Sequence, residues 1–155
     1  LLPWIKIKKD NKKNFNLKVK NKFQFEGYIT EKISNIKNND YFETGDICQL
    51  LKSKNIKIVD RVRRIVKRGG LMIPLKLIEN HTNSIDGVEE SIAQKIKHEF
   101  YGESFEVYYK HFEDMPLTSE EVENIYRENF SKNYWPDKFI EVNKFKKTIS
   151  QKIKI

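Results

Sequence analysis

The sequence lacks covalent cross-links and has no long apolar run. Cys48 is its single cysteine, which excludes an internal disulfide framework and a cysteine-based zinc site. The best apolar run, residues 71–75, ends at Lys76, far short of the roughly 20 residues that a membrane-spanning helix needs. We therefore predict no membrane partner. No signal peptide is visible either, so secretion is not expected.

Groups suited to catalysis are also scarce. No glycine-rich phosphate-binding loop is present, and no nucleophile has a base nearby in sequence. His98 and His111, with neighbouring carboxylates, could hold a divalent metal for phosphodiester hydrolysis, but their spacing matches no ligand signature. We therefore predict a non-enzymatic protein with no catalytic residue, metal or cofactor, and keep a small metal-dependent nuclease as an alternative.

Lysine, by contrast, is abundant, and charge is unevenly distributed along the chain. The 30 Lys and Arg residues exceed the 22 Asp and Glu residues by 8. Residues 1–80 carry net charge +11, residues 81–137 carry −8 and residues 138–155 carry +5. A positive first half is typical of proteins that bind a polyanion. The alternative is that the two halves neutralise each other within the fold.

Arginine is rare, yet four of the five arginines lie within residues 61–68. A guanidinium grips phosphate with two parallel hydrogen bonds, which an ammonium cannot do. We predict that this cluster contacts nucleic-acid phosphates, and that lysines of the N-terminal arm order on the same polyanion. The predicted contact residues are Lys57, Arg61, Arg63, Arg64, Lys67 and Arg68, together with Lys6, Lys8, Lys9, Lys12 and Lys13.

Hydrophobic spacing predicts an α+β fold in four segments. These are a basic N-terminal arm at 1–22, a helix-turn-helix-like basic unit at 23–80, an acidic α/β unit at 81–137 and a basic tail at 138–155. The arm alternates at Phe15, Leu17 and Val19, as a strand does. We expect the helical, winged-helix-like unit to be followed by a β-α-β-α stretch and the basic tail.

In the acidic unit, capping-box patterns and the spacing of apolar residues predict two helices and a strand. Asp86 with Glu89 forms a capping-box pattern, and a stripe at residues 88, 92, 96 and 100 predicts a helix after it. Residues 105–109 alternate as a half-buried strand. Thr118 with Glu121 forms a second capping-box pattern, and apolar residues at 122, 125, 126 and 130 predict the following helix.

Residues 28–78 resemble a winged helix-turn-helix. Apolar residues at 47, 50 and 51 would lie on its first helix, and those at 58, 62 and 65 on its recognition helix. Gly69 and Leu71 then stand where that pattern has a glycine and the start of a wing. The resemblance implies DNA binding, but the arginines crowd the C-terminal half of the recognition helix. That placement favours phosphate contact over base recognition.

A weaker resemblance links residues 71–135 to mitochondrial small-subunit ribosomal proteins, through the order strand, helix, strand, Met115-Pro116, helix, Trp135. It implies a structural RNA-binding component of a ribonucleoprotein, which we predict as the function, with RNA favoured over DNA. A DNA-binding transcription or replication factor is the alternative. The acidic segment 81–137 would contact other proteins of the assembly, in the mitochondrial matrix or the cytoplasm.

Overall fold

The computed structural model of the chain describes residues 6–8, 14–21, 27–28, 34–35, 41–51, 55–149 and 153. The chain divides into two compact units, Leu1–Arg63 and Arg64–Ile155. Each unit is described by itself. The four-segment organisation expected from the sequence stays a prediction.

The first unit is built from antiparallel strands. They are β1 (Lys6–Lys8), β2 (Asn14–Lys20), β3 (Gly27–Tyr28), β4 (Ser34–Asn35), β5 (Phe42–Leu50) and β6 (Ile56–Arg61). Four of them form one sheet in the order β1-β2-β5-β6, and β3 pairs with β4. Phe15, Ile47 and Cys48 are buried on this sheet. Burial, followed by the nearby charge of Asp46, raises the pKa of the Cys48 thiol, which keeps it protonated and unreactive.

This arrangement contradicts the winged-helix prediction. The segments predicted as its two helices form β5 and β6, followed by a 3-10 turn at Val62–Arg64. At the start of the winged-helix-like segment, where that resemblance would require a further helix, residues 27–28 and 34–35 pair as strands, and residues 29–33 and 36–40 lie outside the described residues. The alternation at Phe15, Leu17 and Val19 is confirmed as part of β2.

The second unit packs two helices against a small mixed sheet. Its elements are β7 (Ile65–Arg68), β8 (Leu71–Pro74), α1 (Leu75–Thr82), β9 (Val88–His98), β10 (Gly102–His111), α2 (Ser119–Asn129) and β11 (Phe139–Glu141). The sheet order is β11-β10-β9, in which β10 pairs antiparallel with β9 and parallel with β11. Its buried core includes Val66, Ile73, Leu75, Ile78, Phe105, Val107, Tyr109, Val122 and Tyr126.

Gly69 and Gly70 form the turn of the β7–β8 hairpin. Both have positive φ, at 54° and 82°, a region that glycine enters without steric cost. The sequence predicts that they end a helix, whereas they connect two strands. Pro74 then closes the hairpin opposite Ile65 and stands at the N-cap of α1, where its missing N–H breaks no helical hydrogen bond.

The helix predicted after Asp86 is a strand. Val88, Ile92 and Ile96 lie on β9, because a spacing of four residues fits the period of a strand as well as that of a helix. Gly87 has φ 94°, so it is not the first helical residue that an Asp86 cap would require. The predicted strand at 105–109 is confirmed within β10.

The second capping box is confirmed at α2. Thr118 Oγ1 accepts a hydrogen bond from the Glu121 N–H at 3.3 Å, and Glu121 Oε2 accepts one from the Thr118 N–H at 2.8 Å. Val122 and Tyr126 are buried, and the Tyr126 hydroxyl donates to the Tyr134 carbonyl at 3.1 Å. Burial raises the pKa of Tyr126, so the phenol remains a donor.

The capping box predicts a specific pH dependence. Hydrogen bonds from Thr118 lower the pKa of the Glu121 carboxyl. A group with a depressed folded pKa contributes stability above its unfolded pKa and loses it as pH falls through the folded value. We expect E121Q to lower the melting temperature at neutral pH and to match the parent protein at acidic pH. Thermal melts of both proteins across that range measure this, and a constant difference would contradict it.

The α+β class is therefore confirmed, while its winged-helix component is wrong. Among the residues that the structure describes, no helix combines the length and apolarity needed to cross a bilayer.

Candidate functional site

The predicted phosphate contacts are divided between the two units. Lys57 and Arg61 lie on β6, where Arg61 Nε forms an ion pair with Asp46 Oδ1 at 2.9 Å. Arg63 is exposed in the 3-10 turn. Lys6 and Lys8 lie on β1, while Lys9, Lys12 and Lys13 fall outside the described residues. The second unit contains Arg64, Lys67 and Arg68.

Arg64 is committed to an internal contact with a buried carboxylate. Its Nη2 lies 2.5 Å from Glu79 Oε1, and Glu79 is only 4% exposed. The same oxygen accepts the Ala93 N–H at 3.1 Å, and Lys76 Nζ lies 3.7 Å from Oε2. Glu79 therefore joins α1 to β9 and to the start of β7.

Arg68 is held by a second internal network. Its guanidinium donates to Ser104 Oγ at 3.2 Å and to the Asn133 carbonyl at 2.8 Å. It also lies 3.5 Å from Asp137 Oδ1 and 4.9 Å from the centroid of the Phe105 ring. With the guanidinium used in this way, Arg68 anchors β7 to the sheet.

The histidines proposed for the nuclease alternative cannot share a metal. His98 pairs with Gly102 at one end of the β9–β10 hairpin, and His111 pairs with Val88 at the other. Ten residues of strand separate such ends by about 30 Å. His111 Nε2 instead lies 3.3 Å from Glu141 Oε1. Within the described residues, no group of three potential metal ligands is found.

A basic groove in the second unit is a candidate site for ligand contact. It has a volume of about 910 Å³ and lies along the segment that follows β11. The lining residues are Glu89, Glu90, Lys110, Lys144, Phe145, Lys146 and Lys147. Two of the lysines are neutralised by carboxylates: Lys110 Nζ lies 2.5 Å from Glu89 Oε2, and Lys147 Nζ lies 2.7 Å from Glu90 Oε2. The hydrogen bond to Glu89 raises the pKa of Lys110.

Lys144 and Lys146 supply the positive charge of this groove. Both are exposed and flank Phe145, which is buried. The same three residues also line a smaller groove of about 240 Å³, whose polar lining includes Gln94 and Tyr108. Burial raises the pKa of Tyr108, and so does its contact with Glu106, so Tyr108 offers a neutral hydroxyl. The arrangement suits an anion, because two exposed lysines line a groove that they share with the apolar Phe145 side chain.

Sequence reasoning missed both the groove and Glu79. The sequence shows that residues 138–155 are basic, but it does not distinguish Lys144 and Lys146 from the other lysines there. Only folding brings them to the same groove as Lys110. Glu79 carried a usable signal. It lies on the buried side of α1 with Leu75, Ile78 and Thr82, and a buried carboxylate requires a partner.

Comparison with known proteins gives a consistent set of relatives. No family model matches the chain. An acyl-CoA synthetase of Alternaria alternata is 31% identical over 88 residues, which are 55% of this chain and 16% of that protein. The "Putative long chain fatty acid-CoA ligase VraA" of Staphylococcus haemolyticus is 26% identical over 156 aligned positions, covering 99% of this chain and 33% of the relative. The chain thus spans about a sixth and a third of these two curated relatives.

Several solved structures have a fold similar to that of this chain. ATP-bound MatB from Rhodopseudomonas palustris matches 98% of this chain with 33% of its own, at TM-score 0.82 and 21% identity. The o-succinylbenzoate CoA synthetase of Bacillus subtilis, in complex with its acyl-adenylate intermediate, matches 96% with 32%, at TM-score 0.78 and 21% identity. An amide bond synthetase from Marinactinospora thermotolerans matches 97% with 33%, at TM-score 0.79 and 14% identity.

These findings overturn the functional predictions made from the sequence. The resemblances to winged-helix and mitochondrial ribosomal proteins are wrong, since the matching proteins include named CoA synthetases and a CoA ligase. The predicted RNA or DNA partner is also wrong, and so is the predicted protein contact through segment 81–137. The ligands named for the similar structures are ATP and an acyl adenylate. The non-enzymatic prediction and the nuclease alternative fall for the same reason. The chain has the fold of about one third of each of these solved proteins.

Proposed function

We propose that this chain is part of an ATP-dependent enzyme that activates a carboxylic acid as its adenylate and ligates it to CoA. The observation that carries the proposal is structural likeness over nearly the whole chain, at TM-score 0.82 over 98% of it, to an ATP-bound structure. Two curated relatives whose names describe acyl-CoA formation support it independently.

The proposed reaction has two steps and passes through an acyl adenylate, the intermediate named for one of the similar structures. The carboxylate oxygen of the acid attacks the α-phosphorus of ATP, and pyrophosphate leaves. The CoA thiol then attacks the acyl carbonyl, the thioester forms, AMP departs and the thiol proton passes to solvent. ATP, the acyl adenylate and AMP are all anionic. Lysines near the bound nucleotide therefore stabilise its phosphates through charge-assisted hydrogen bonds.

The basic groove is the part of the described chain best suited to such a contact. Lys144 and Lys146 are exposed there, and among the residues that the structure describes neither has a carboxylate contact of the kind that occupies Lys110 and Lys147. We assign to these two lysines the binding of a phosphate-bearing substrate. Phe145 holds the segment between them against the sheet through its burial.

This assignment predicts a binding defect. We expect K144Q/K146Q to raise the KM for ATP or for CoA about tenfold, because each charge-assisted contact contributes about 1.5–3 kcal/mol before solvent screening. We expect kcat to change much less. The matched control is K132Q/K138Q, which removes two exposed lysines outside the groove. Equal KM values for both double variants would contradict the assignment.

The enzymatic proposal itself is tested on the whole protein that carries this chain. It is incubated with ATP, Mg²⁺ and a panel of short, long-chain and aromatic acids. We expect acid-dependent pyrophosphate release, an acyl hydroxamate when hydroxylamine replaces CoA, and an acyl-CoA thioester when CoA is present. Pyrophosphate release independent of every acid, or none at all, would overturn the proposal.

A further inference from the structure

Two of the four lysines that line the basic groove are held by carboxylates of β9. Lys110 Nζ forms an ion pair with Glu89, and Lys147 Nζ lies 2.7 Å from Glu90 Oε2. The four side chains are between 30% and 37% exposed. Water screens ion pairs at this depth less than it screens pairs on the open surface. Lys110 and Lys147 are therefore occupied before any ligand arrives.

Several carboxylates act on Lys110. Glu90 stands directly opposite Lys110 in the register of β9 and β10, next to Glu89. The hydrogen bond to Glu89 raises the pKa of Lys110, and the charges of Glu89, Glu113 and Glu90 raise it further. A phosphate that approached Lys110 would meet these negative charges, which repel it. This part of the groove therefore disfavours an anion.

Lys144 and Lys146 lie in a different environment. Both are exposed, and neither has a carboxylate partner among the residues that the structure describes. They flank Phe145, whose burial fixes the segment between them. Two ammonium groups match the oxygens of one phosphate group, each through a charge-assisted hydrogen bond. The groove thus has two lysines that can meet a ligand and two that already have partners.

We propose that Glu89 and Glu90 determine the specificity of the groove, by limiting it to a single phosphate group of the substrate. Lys144 and Lys146 hold that group. The inference rests on the proposed function, which assigns a phosphate-bearing substrate to these two lysines.

Repulsion by the two carboxylates is the basis of this selection. Without them, four ammonium groups would line the groove, and a ligand with a longer phosphate chain would gain further charge-assisted contacts. With them, each added phosphate must displace a carboxylate or lie beside one. A repulsive element of this kind distinguishes ligands that share the same attractive contacts.

Binding of AMP, ADP and ATP to the whole protein tests the inference by isothermal titration calorimetry. We expect E89Q/E90Q to tighten the binding of ATP about tenfold relative to that of AMP, because two lysines become available and each exposed charge contact contributes up to about fivefold. The matched control, E99Q/E128Q, removes the same charge from exposed positions outside the groove. It should leave all three affinities unchanged.

Lysine labelling locates the contact without any need for catalysis. Trace acetylation with acetic anhydride, followed by mass spectrometry, identifies the lysines that bound ATP shields. In the parent protein, ATP should protect Lys144 and Lys146 while the labelling of Lys110 and Lys147 stays the same. In E89Q/E90Q, ATP should protect all four.

Two results would overturn the inference. Protection of Lys110 by ATP in the parent would show that this lysine already contacts phosphate. An unchanged ratio of ATP to AMP affinity in E89Q/E90Q, with a lower melting temperature, would assign the two ion pairs to stability alone. Failure of the proposed function is distinguishable from both. In that case K144Q/K146Q would bind all three nucleotides as the parent does, which removes the assignment on which the inference rests.

Discussion

Replacing Glu79 by alanine is expected to lower the free energy of unfolding by about 3–5 kcal/mol, the usual cost of breaking a buried ion pair. The change leaves the Arg64 guanidinium beside a cavity and takes the acceptor from the Ala93 N–H. Glu79 is almost fully buried, so water does not easily replace the lost oxygens. Urea denaturation followed by circular dichroism measures the effect.

Two further variants isolate its cause. E79Q retains an oxygen for the Ala93 N–H but loses the charge, and should cost less than E79A. E128A removes an exposed carboxylate at the end of α2, where a substitution is expected to change stability by about 0.5 kcal/mol or less. Hydrogen exchange at the Ala93 amide should accelerate in E79A. If E79A and E128A cost the same, the network around Glu79 does not stabilise the fold.

The second large effect is expected at Gly87. Its φ is 94°, and an added Cβ would lie 2.8 Å from Leu117 Cδ1 and 3.4 Å from the Met115 carbonyl oxygen. A side chain at positive φ costs about 1–2 kcal/mol, and overpacking adds about 1–3 kcal/mol. We therefore expect G87A to destabilise the second unit by about 2–5 kcal/mol in a denaturant titration.

G70A is the matched control for this substitution. Gly70 has φ 82°, and an added Cβ would meet nothing within 4 Å. It should therefore show the backbone cost alone, about 1–2 kcal/mol. The difference between the two variants measures the contact with Leu117, and a difference of zero would show that the Leu117 side chain moves aside at no cost.

Local signals predicted some elements of this fold and failed for others for a clear reason. At α2 the capping box and the apolar stripe point to the same helix, and both are present. At 88–96 and at 58–66 the stripe repeats every four residues, which fits a strand as well as a helix. Ile58 is an example: it was expected on the apolar face of a helix, but it lies on β6 with 60% of its surface exposed.

The sequence shows how many charged residues there are, but only the fold shows which of them pair with one another. Arg64, Arg68 and Lys95 meet Glu79, Asp137 and Glu103 within the second unit. Part of the basic excess therefore serves internal pairing. Of these pairs, only Arg68–Asp137 joins residues 1–80 to residues 81–137, so mutual neutralisation of the two halves stays a prediction. The partners are 15, 69 and 8 positions apart in the chain, and no local pattern in a single sequence encodes such pairs. The groove escaped prediction for the same reason.

The parallel pairing of β11 with β10 has a consequence for the timing of folding. Val107 pairs with Phe139, and a parallel partner is reached only by a crossover, which here contains α2. The β9–β10 hairpin is local and can form early, whereas contacts between distant segments form late because closing a long loop costs entropy. During synthesis, the nascent sheet should therefore remain a two-stranded hairpin until Glu141 has left the ribosome.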